Sequence, residues 1–229
     1  MVCFTPHRRR VLLSRLQEQI VVIVGRALDG SDFALAGGAA IISQGLVDRR
    51  TRDLDFFGSS SLQLAEKLPV IIEALTEWGL EVNIDRQSER FARLQVRGLG
   101  EETEVDFGID YRLFPLHEGE HTSVLSNKEL AVDKVLAIFG RAEPRDFIDL
   151  AALSQIFDMN DLFREAIRKD QGFDLQIFTE MTNRLTVLPR REFPISDVDF
   201  HELKKTVGTW RDIAKEVILA RDRDRGMER

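Results

Sequence analysis

Short apolar or alternating runs predict strands in the first half of the chain, and apolar residues at helical spacing predict helices throughout it. Helical spacing covers residues 10–28, 38–46 and 61–79 of this half, where Pro69 marks a kink or the start of a new segment. The strand-like runs are "FALA" (33–36), "DLDFF" (53–57), "LEVNID" (80–85), "FARLQVRG" (91–98) and "ETEVDFGID" (102–110).

The pattern changes after Pro115, where strand-like alternation nearly vanishes. A run of mixed elements followed by a run of helices indicates two domains. We predict an α+β domain over residues 1–115, with a small mixed sheet flanked by helices, and a helical domain over residues 116–229. The helices expected after Pro115 cover residues 128–140, 144–156, 159–169, 173–185 and 198–221.

Composition favours a globular protein of a reducing compartment. Hydrophobic residues are 43% and charged residues 31% of the 229 positions, and the single Cys3 excludes an internal disulfide framework. Arg8 to Arg10 precede only three apolar residues, which are too few for a signal peptide. The run "IVVIVG" is too short to span a bilayer. We therefore expect a cytoplasmic protein without a membrane segment.

The formal net charge is -7, whereas proteins that are dedicated to coating nucleic acid are usually basic. A local basic groove is compatible with this charge, and so is the simpler interpretation that the arginines are solvated surface residues. The candidates for such a groove are Arg8, Arg9, Arg10, Arg49, Arg50 and Arg52.

The first candidate chemistry is the Asp-Leu-Asp of the "DLDFF" strand. Acidic residues are 39 of 229, so an isolated Asp-x-Asp triplet carries no weight. Residues two apart in a strand point to the same face, however, so Asp53 and Asp55 project together while Leu54 and Phe56 face the core. Two close carboxylates repel unless a cation lies between them, and Mg²⁺ prefers oxygen ligands of this kind.

A third carboxylate lies in "TEVDFGID", where Asp106 projects away from the side of Val105 and Phe107. If this strand neighbours "DLDFF", Asp106 completes a three-carboxylate site for two metal ions and in-line phosphoryl or nucleotidyl transfer. Asp110 projects to the same side of the strand as Asp106 and competes with it for this role.

Gly37 and Gly38 separate the "FALA" strand from the next helix. Glycines at such a turn let backbone N–H groups approach a phosphate closely, and the helix dipole favours an anion there. By itself the pair is more simply a plain strand–helix turn. The order of glycine pair, short helix and acidic strand favours the phosphate interpretation.

This order resembles the minimal nucleotidyltransferases of the DNA polymerase β superfamily, and within them the AbiEii/AbiGii (MenT-type) toxin family. The resemblance covers about residues 33–155 and implies a polymerase-β-like nucleotidyltransferase fold. The last of its matching blocks separates this family from other polymerase-β-like enzymes. The blocks are "LAGGAAI" (35–41), "RRTRDLDFF" (49–57), "EVDF" (104–107) and "LAVDKVLAIFGRAEPRDFIDL" (130–150).

The resemblance implies an enzyme that transfers a nucleoside monophosphate from an NTP with Mg²⁺ or Mn²⁺. Asp53 and Asp55 would hold the metal that bridges the phosphates, and Asp106 would position a second metal. Gly37 and Gly38 would cradle the triphosphate. The implied acceptor is the 3′ end of tRNA, whose modification stops translation, and the implied protein partner is a cognate antitoxin.

Two alternatives stay open. One is a nucleotidyltransferase whose acceptor is a small molecule or a protein hydroxyl, and the other is a catalytically weak module that binds a nucleotide or a partner. Ala39 keeps the second one open, because the family usually has Ser or Thr after the glycine pair to hold the triphosphate. Ser43 lies a full helical turn away and does not simply substitute for that hydroxyl.

Lys134 falls between Leu130 and Ile138 on a helix that is apolar almost all round, and Arg141 shares its face. A lysine in an apolar stripe either snorkels to solvent or faces a polar cleft. The family match implies the second case, in which Lys134 and Arg141 bind the nucleotide.

Pro144 suits the first turn of the next helix, which makes Asp146 an acid that is stabilised by the helix dipole. The Arg-Asp-x-x-Asp block of the family implies that Asp146 is catalytic and either orients Lys134 or assists proton transfer. Asp149 lies four residues from Arg145, the spacing of an ordinary helical ion pair, and we expect it to be structural.

The segment "HEGEH", from His117 to His121, matches the His-Glu-x-x-His pattern of zinc proteases. That chemistry needs both histidines on one face of a helix. Pro115 precedes the motif and Gly119 interrupts it, so we interpret it as a hydrophilic loop between the two domains.

Overall fold

The computed structural model describes residues 13–227, and of residues 221, 222 and 224–227 it describes only the main chain. Cys3 and the run from Arg8 to Arg10 lie outside the described residues. Within the described part, no helix is both long and apolar enough to cross a membrane.

The chain divides into two compact units, and it passes between them three times. The first unit reaches to Asp110 and also includes Glu118–Val124. The second unit comprises Tyr111–His117 and the chain from Leu125 onward. The domain division at residue 115 stays a prediction.

A mixed sheet forms the centre of the first unit. In chain order its strands are β1 (Ala34–Ala36), β2 (Asp53–Gly58), β3 (Glu81–Gln87), β4 (Phe91–Gly98), β5 (Glu101–Ile109), β6 (His117–Glu118) and β7 (Ser123–Val124). They lie side by side in the order β3-β4-β5-β2-β1-β7-β6, with β2 parallel to β5 and antiparallel to β1. The predicted α+β class is confirmed. The sequence did not indicate β6 and β7, because two residues are too few to show alternation.

Helices α1 (Arg15–Ala27) and α3 (Ser61–Glu77) pack against each other and against the sheet, while the short α2 (Gly37–Ser43) follows β1 directly. The first helix begins later than predicted because Ser14 caps it. The Ser14 side chain accepts a hydrogen bond from the main chain of Gln17, whose side chain accepts one from the Ser14 N–H. Helix α3 runs through Pro69 as one element.

The two faces of the sheet differ in character. The face toward α1 and α3 carries buried apolar side chains, among which the rings of Phe56 and Phe107 stack with centroids 5.5 Å apart. Side chains alternate along a strand, so the residues between them point to the opposite face. We call this opposite side the polar face; on β2, β4 and β5 it carries Asp53, Asp55, Phe57, Phe91, Arg93, Gln95, Glu104 and Asp106.

The second unit is helical. Its elements are α4 (Asn127–Gly140), α5 (Pro144–Leu153), α6 (Met159–Lys169), α7 (Leu175–Met181), α8 (Arg184–Val187), a 3-10 helix (Arg190–Glu192) and α9 (Asp197–Met227). The single helix that we predicted over residues 173–185 is wrong, since α7 and α8 are separate. The chain turns between them at the buried Thr182, whose hydroxyl and carbonyl oxygens accept hydrogen bonds from Arg211 at 2.7 and 2.8 Å.

Candidate active site

Three of the predicted acids lie side by side on the polar face. Asp55 of β2 is the register partner of Asp106 on the parallel strand β5, and Asp53 is the partner of Glu104. Neighbouring strands are about 4.8 Å apart, so the Asp55 and Asp106 side chains leave the sheet next to each other. Asp110, the competing candidate, lies just beyond the end of β5. The register therefore brings together Asp53, Asp55 and Asp106.

Asp106 is held by an arginine that we did not single out from the sequence. Its two carboxylate oxygens accept hydrogen bonds from Arg93 of β4, at 2.8 Å from Nε and 2.6 Å from Nη2. The remaining nitrogen of Arg93, Nη1, lies 3.1 Å from Oε2 of Glu104. The hydrogen bond to Asp106 outweighs the effect of burial and raises the pKa of Arg93 above its usual value. Arg93 is thus a fixed positive charge between the carboxylates of Asp106 and Glu104.

Asp53 and Asp55 are the carboxylates that fit a divalent cation. They are partly exposed, point to the same face and supply the oxygen ligands that Mg²⁺ prefers. The hydroxyl of Thr51 donates to Oδ1 of Asp53 at 2.9 Å and so orients it. Across residues 13–227, no group of three or more His, Cys, Asp or Glu side chains is arranged to hold a metal ion. A metal at Asp106 would have to share that carboxylate with Arg93.

Gly37 brings the start of α2 directly against Asp55. Its φ angle is +58°, which side chains rarely adopt, and a Cβ at this position would lie 2.0 Å from Oδ2 of Asp55. Both observations require glycine here. The main chain that enters α2 is therefore in contact with the acidic strand.

We expect Gly37→Ala to lower the free energy of unfolding by about 2–4 kcal/mol, because it adds backbone strain to an overlap with Asp55. Urea denaturation measures this loss. Gly140→Ala is the matched control: a Cβ on Gly140 meets nothing within 4 Å, so its stability should stay within about 1 kcal/mol of wild type. Wild-type stability of Gly37→Ala would show that the turn relaxes freely.

Gly38 lies against a buried arginine. A Cβ on Gly38 would lie 2.7 Å from Nη2 of Arg49, whose Nη1 donates to the carbonyl oxygen of Arg50 at 3.0 Å. Arg49 is only 5% exposed, so the interpretation of this residue as a solvated surface arginine was wrong. Arg50 and Arg52 are exposed. A positive charge thus lies beside the glycine pair.

Ala39 is completely buried in α2. Its methyl group offers no hydrogen bond to a phosphate. The hydroxyl of Ser43 donates to the carbonyl oxygen of Ala40 at 2.9 Å and is therefore engaged within its own helix. Ser43 therefore does not supply the hydroxyl that the family resemblance led us to expect at position 39.

The second unit contains a buried cluster of charges around Lys134. Its Nζ lies 3.0 Å from Oδ1 of Asp146 and 3.0 Å from Oδ2 of Asp149, and both aspartates are fully buried. Arg141 donates to Asp146 through Nε at 2.9 Å and Nη2 at 3.1 Å. We call these four residues the lysine cluster. Lys134 does not snorkel to solvent, because its Nζ lies between two carboxylates.

Lys134 and Asp146 stay charged despite their burial. Burial alone raises the pKa of Asp146, but hydrogen bonds and positive charge from Arg141 and Lys134 outweigh it and lower the pKa to about 2. Burial likewise favours neutral Lys134, while the charges of Asp149 and Asp146 outweigh it and raise the pKa of this lysine. The lysine is therefore protonated and the aspartate ionised at neutral pH.

The depressed pKa of Asp146 predicts a pH-dependent contribution to stability. This contribution is complete above the ordinary pKa of an aspartate and is lost as the pH falls toward about 2. We expect the unfolding free energy of wild type to fall by about 2 kcal/mol more than that of Asp146→Asn between about pH 5 and pH 2. Urea denaturation at a series of pH values measures the difference. Asp212→Asn, at an exposed acid, should follow wild type, and parallel curves for Asp146→Asn would contradict the assignment.

The remaining motif, "HEGEH", lies in strand β6 and the turn that follows it. Zinc proteases need a helix at this point. The acidic residues and the glycine pair belong to the first unit, whereas the lysine cluster belongs to the second.

Comparison with known proteins identifies relatives in sequence and in fold. A family model described as "Nucleotidyl transferase AbiEii toxin, Type IV TA system" matches residues 21–223. The crystal structure of JHP933 from Helicobacter pylori is 19% identical, with a TM-score of 0.58 over 94% of this chain and 98% of that one. MenT4, a nucleotidyltransferase toxin from Mycobacterium tuberculosis, is 16% identical, with a TM-score of 0.57 over 87% of this chain and 82% of that one. No curated protein sequence gives a significant match.

Proposed function

The chain belongs to the AbiEii family of nucleotidyltransferase toxins, and from this premise we propose that it transfers a nucleoside monophosphate from an NTP to the 3′ end of a tRNA. Family membership makes the chain a nucleotidyltransferase; the RNA acceptor and the metal are the proposal. The observation that carries it is the contact between Gly37 and Asp55, which joins a turn suited to phosphate to a strand suited to a cation.

The first unit supplies the groups for the proposed reaction. Asp53 and Asp55 would hold Mg²⁺ or Mn²⁺, which when bound neutralises phosphate charge and makes the phosphorus more open to attack. The main chain at Gly37 and Gly38 offers N–H groups to the triphosphate, and the buried Arg49 beside them adds positive charge. Such catalysis consists mostly of positioning and electrostatics.

Asp106 has its carboxylate oriented by Arg93. Because both of its oxygens accept hydrogen bonds from that arginine, we assign Asp106 to orienting the acceptor hydroxyl ahead of holding a second metal. For the second unit, the family resemblance implies that Lys134 and Arg141 bind the nucleotide phosphates and that Asp146 orients Lys134, and these roles stay predictions. A protonated lysine is what that role requires, and the cluster favours this state.

Modification of tRNA would stop translation. The proposed place of action is therefore the cytoplasm, and the proposed protein partner is an antitoxin that restrains the enzyme. The family description, which places its members in type IV toxin–antitoxin systems, supports this partner.

The test is transfer of label to tRNA. The purified protein is incubated with Mg²⁺, total tRNA and each of the four NTPs labelled on the α-phosphate. We expect label on tRNA from at least one NTP, and none when a chelator removes the metal. Periodate-oxidised tRNA, which lacks the 3′-terminal hydroxyls, is the matched control and should stay unlabelled. Label on protein or on a small molecule would show that the acceptor is not tRNA. No label on any species would favour a module that binds a nucleotide or a partner without transfer.

A further inference from the structure

Two guanidinium groups lie over a partly exposed aromatic ring on the polar face. The Cζ atoms of Arg86 and Arg93 are 5.6 and 5.9 Å from the ring centroid of Phe91. These distances are those of cation–π contacts. We call Arg86, Phe91 and Arg93 the Phe91 platform. It combines a flat apolar surface with positive charge.

The platform lies next to Asp55 and Asp106 on the same face of the sheet. Phe91 is the register partner of Gly108, and Arg93 is the partner of Asp106. Residues two apart along a strand are separated by about 7 Å. Phe91 therefore lies about 7 Å along the strand from Arg93, the residue opposite Asp106. Arg93 connects the platform to the carboxylates, because it contacts the ring and also donates two hydrogen bonds to Asp106. A molecule that reacts near Asp55 and Asp106 can therefore extend over Phe91.

The main chain around Phe91 is held on both sides. Its carbonyl oxygen accepts a hydrogen bond from the N–H of Ser88 at 2.7 Å, which closes the turn between β3 and β4. The carbonyl oxygen of Arg90 accepts one from Ile109 of β5 at 3.0 Å. The ring is thus presented by a rigid element, which lowers the entropic cost of binding.

The charges beside the ring indicate what kind of ligand fits. Arg93 is compensated by Asp106 and Glu104. Arg86 and Arg90 are exposed and form no ion pair with the described part of the chain, although Asp85 and Glu89 adjoin them in sequence. This patch is too weakly basic to grip a duplex through its phosphates. It fits a short single strand, for which stacking on an aromatic ring supplies much of the affinity.

We propose that the Phe91 platform binds the single-stranded acceptor end of the RNA. A base stacks on Phe91 and its flanking guanidinium groups, and a backbone phosphate lies near Arg86 and Arg90. This inference rests on the proposed function, since it assigns a surface to the acceptor of that reaction.

The test is the binding of a short single-stranded RNA that ends in CCA, labelled with a fluorophore at its 5′ end, to the full-length protein. Fluorescence anisotropy gives the Kd. We expect Phe91→Leu, which keeps apolar bulk but removes the π face, to raise the Kd about tenfold. Phe91→Trp should bind at least as tightly as wild type. Arg86→Gln should lower the slope of log Kd against log salt by about 0.7.

Two controls make the result decisive. Arg26→Gln removes an exposed arginine from α1, on the other side of the sheet, and should leave the Kd unchanged. Binding of a non-hydrolysable NTP, measured by calorimetry, should be the same for Phe91→Leu and wild type. The proposal is overturned if wild type does not bind the RNA, if Phe91→Leu binds it normally, or if Phe91→Leu instead loses the NTP. RNA binding that depends on Phe91, without label transfer to tRNA, would leave the platform standing and reject the proposed reaction.

Discussion

Asp55→Asn is expected to lower the rate of nucleotidyl transfer at least about a hundredfold, because it removes one carboxylate of the proposed metal pair, a contribution of several kcal/mol. The folded structure should not suffer. Asparagine has nearly the same size and shape as aspartate and fits the same space beside Gly37, so the free energy of unfolding should stay within about 1 kcal/mol of wild type. Initial rates of label transfer and urea denaturation measure the two effects.

The control for this variant is Asp29→Asn, which removes one exposed carboxylate from the turn after α1. It should keep the wild-type rate. Binding of Mn²⁺, followed by its electron paramagnetic resonance signal, separates a lost metal from a lost reaction: Asp55→Asn should weaken it and Asp29→Asn should not. Transfer at the wild-type rate by Asp55→Asn would remove this residue from the mechanism.

Lys134→Met is expected to cost about 3–5 kcal/mol of unfolding free energy, the largest effect on stability that we predict for one substitution. The change removes the ammonium group that lies 3.0 Å from both Asp146 and Asp149. Both carboxylates are fully buried, so water cannot take the place of the lysine as their partner. Methionine has a similar volume, which limits the loss to electrostatics. Urea denaturation at neutral pH measures this loss.

Lys215→Met is the matched control, since Lys215 is largely exposed and pairs with Asp212 at 3.4 Å. Its stability should stay within about 0.5 kcal/mol of wild type. Adding Asp149→Leu to Lys134→Met should recover part of the loss, because it removes one of the two carboxylates that lost their cation. A cost below about 1 kcal/mol for Lys134→Met would show that water reaches the cluster.

Local sequence was sufficient for the acidic strand and the glycine turn. Alternation in "DLDFF" predicted that Asp53 and Asp55 share a face, and β2 has that pattern of burial. The glycine pair predicted a strand–helix turn, and Gly37 has the positive φ that only glycine adopts readily. Both features depend on residues that are close in the chain, so a periodic pattern contains the information.

Arg93 could also have been found from the sequence. Strands β4 and β5 are joined by a tight turn in which Leu99 and Gly100 have φ angles of +55° and +76°. A two-residue turn fixes the antiparallel register, and that register places Arg93 opposite Asp106. We did not assign the central residues of this turn from the sequence, so the pairing was missed.

The burial of Lys134 could not be predicted in this way. A helical wheel shows that the residue lies in an apolar stripe, but not what packs on that stripe. Lys134 is buried because α5 packs there and places Asp146 and Asp149 against its ammonium group. Arg49 is a similar case, because only the position of Gly38 shows that this arginine is enclosed.

The three passages of the chain between its two units have a consequence for dissecting the protein. A fragment that ended at residue 115 would lack β7, whose Val124 pairs with Leu35 of β1. Strand β1 would then be an open sheet edge with its main-chain hydrogen-bonding groups exposed, a common starting point for aggregation. The same strand leads directly into Gly37. A fragment that is cut where the helices begin would thus lose the support of the glycine turn to which we assign phosphate binding.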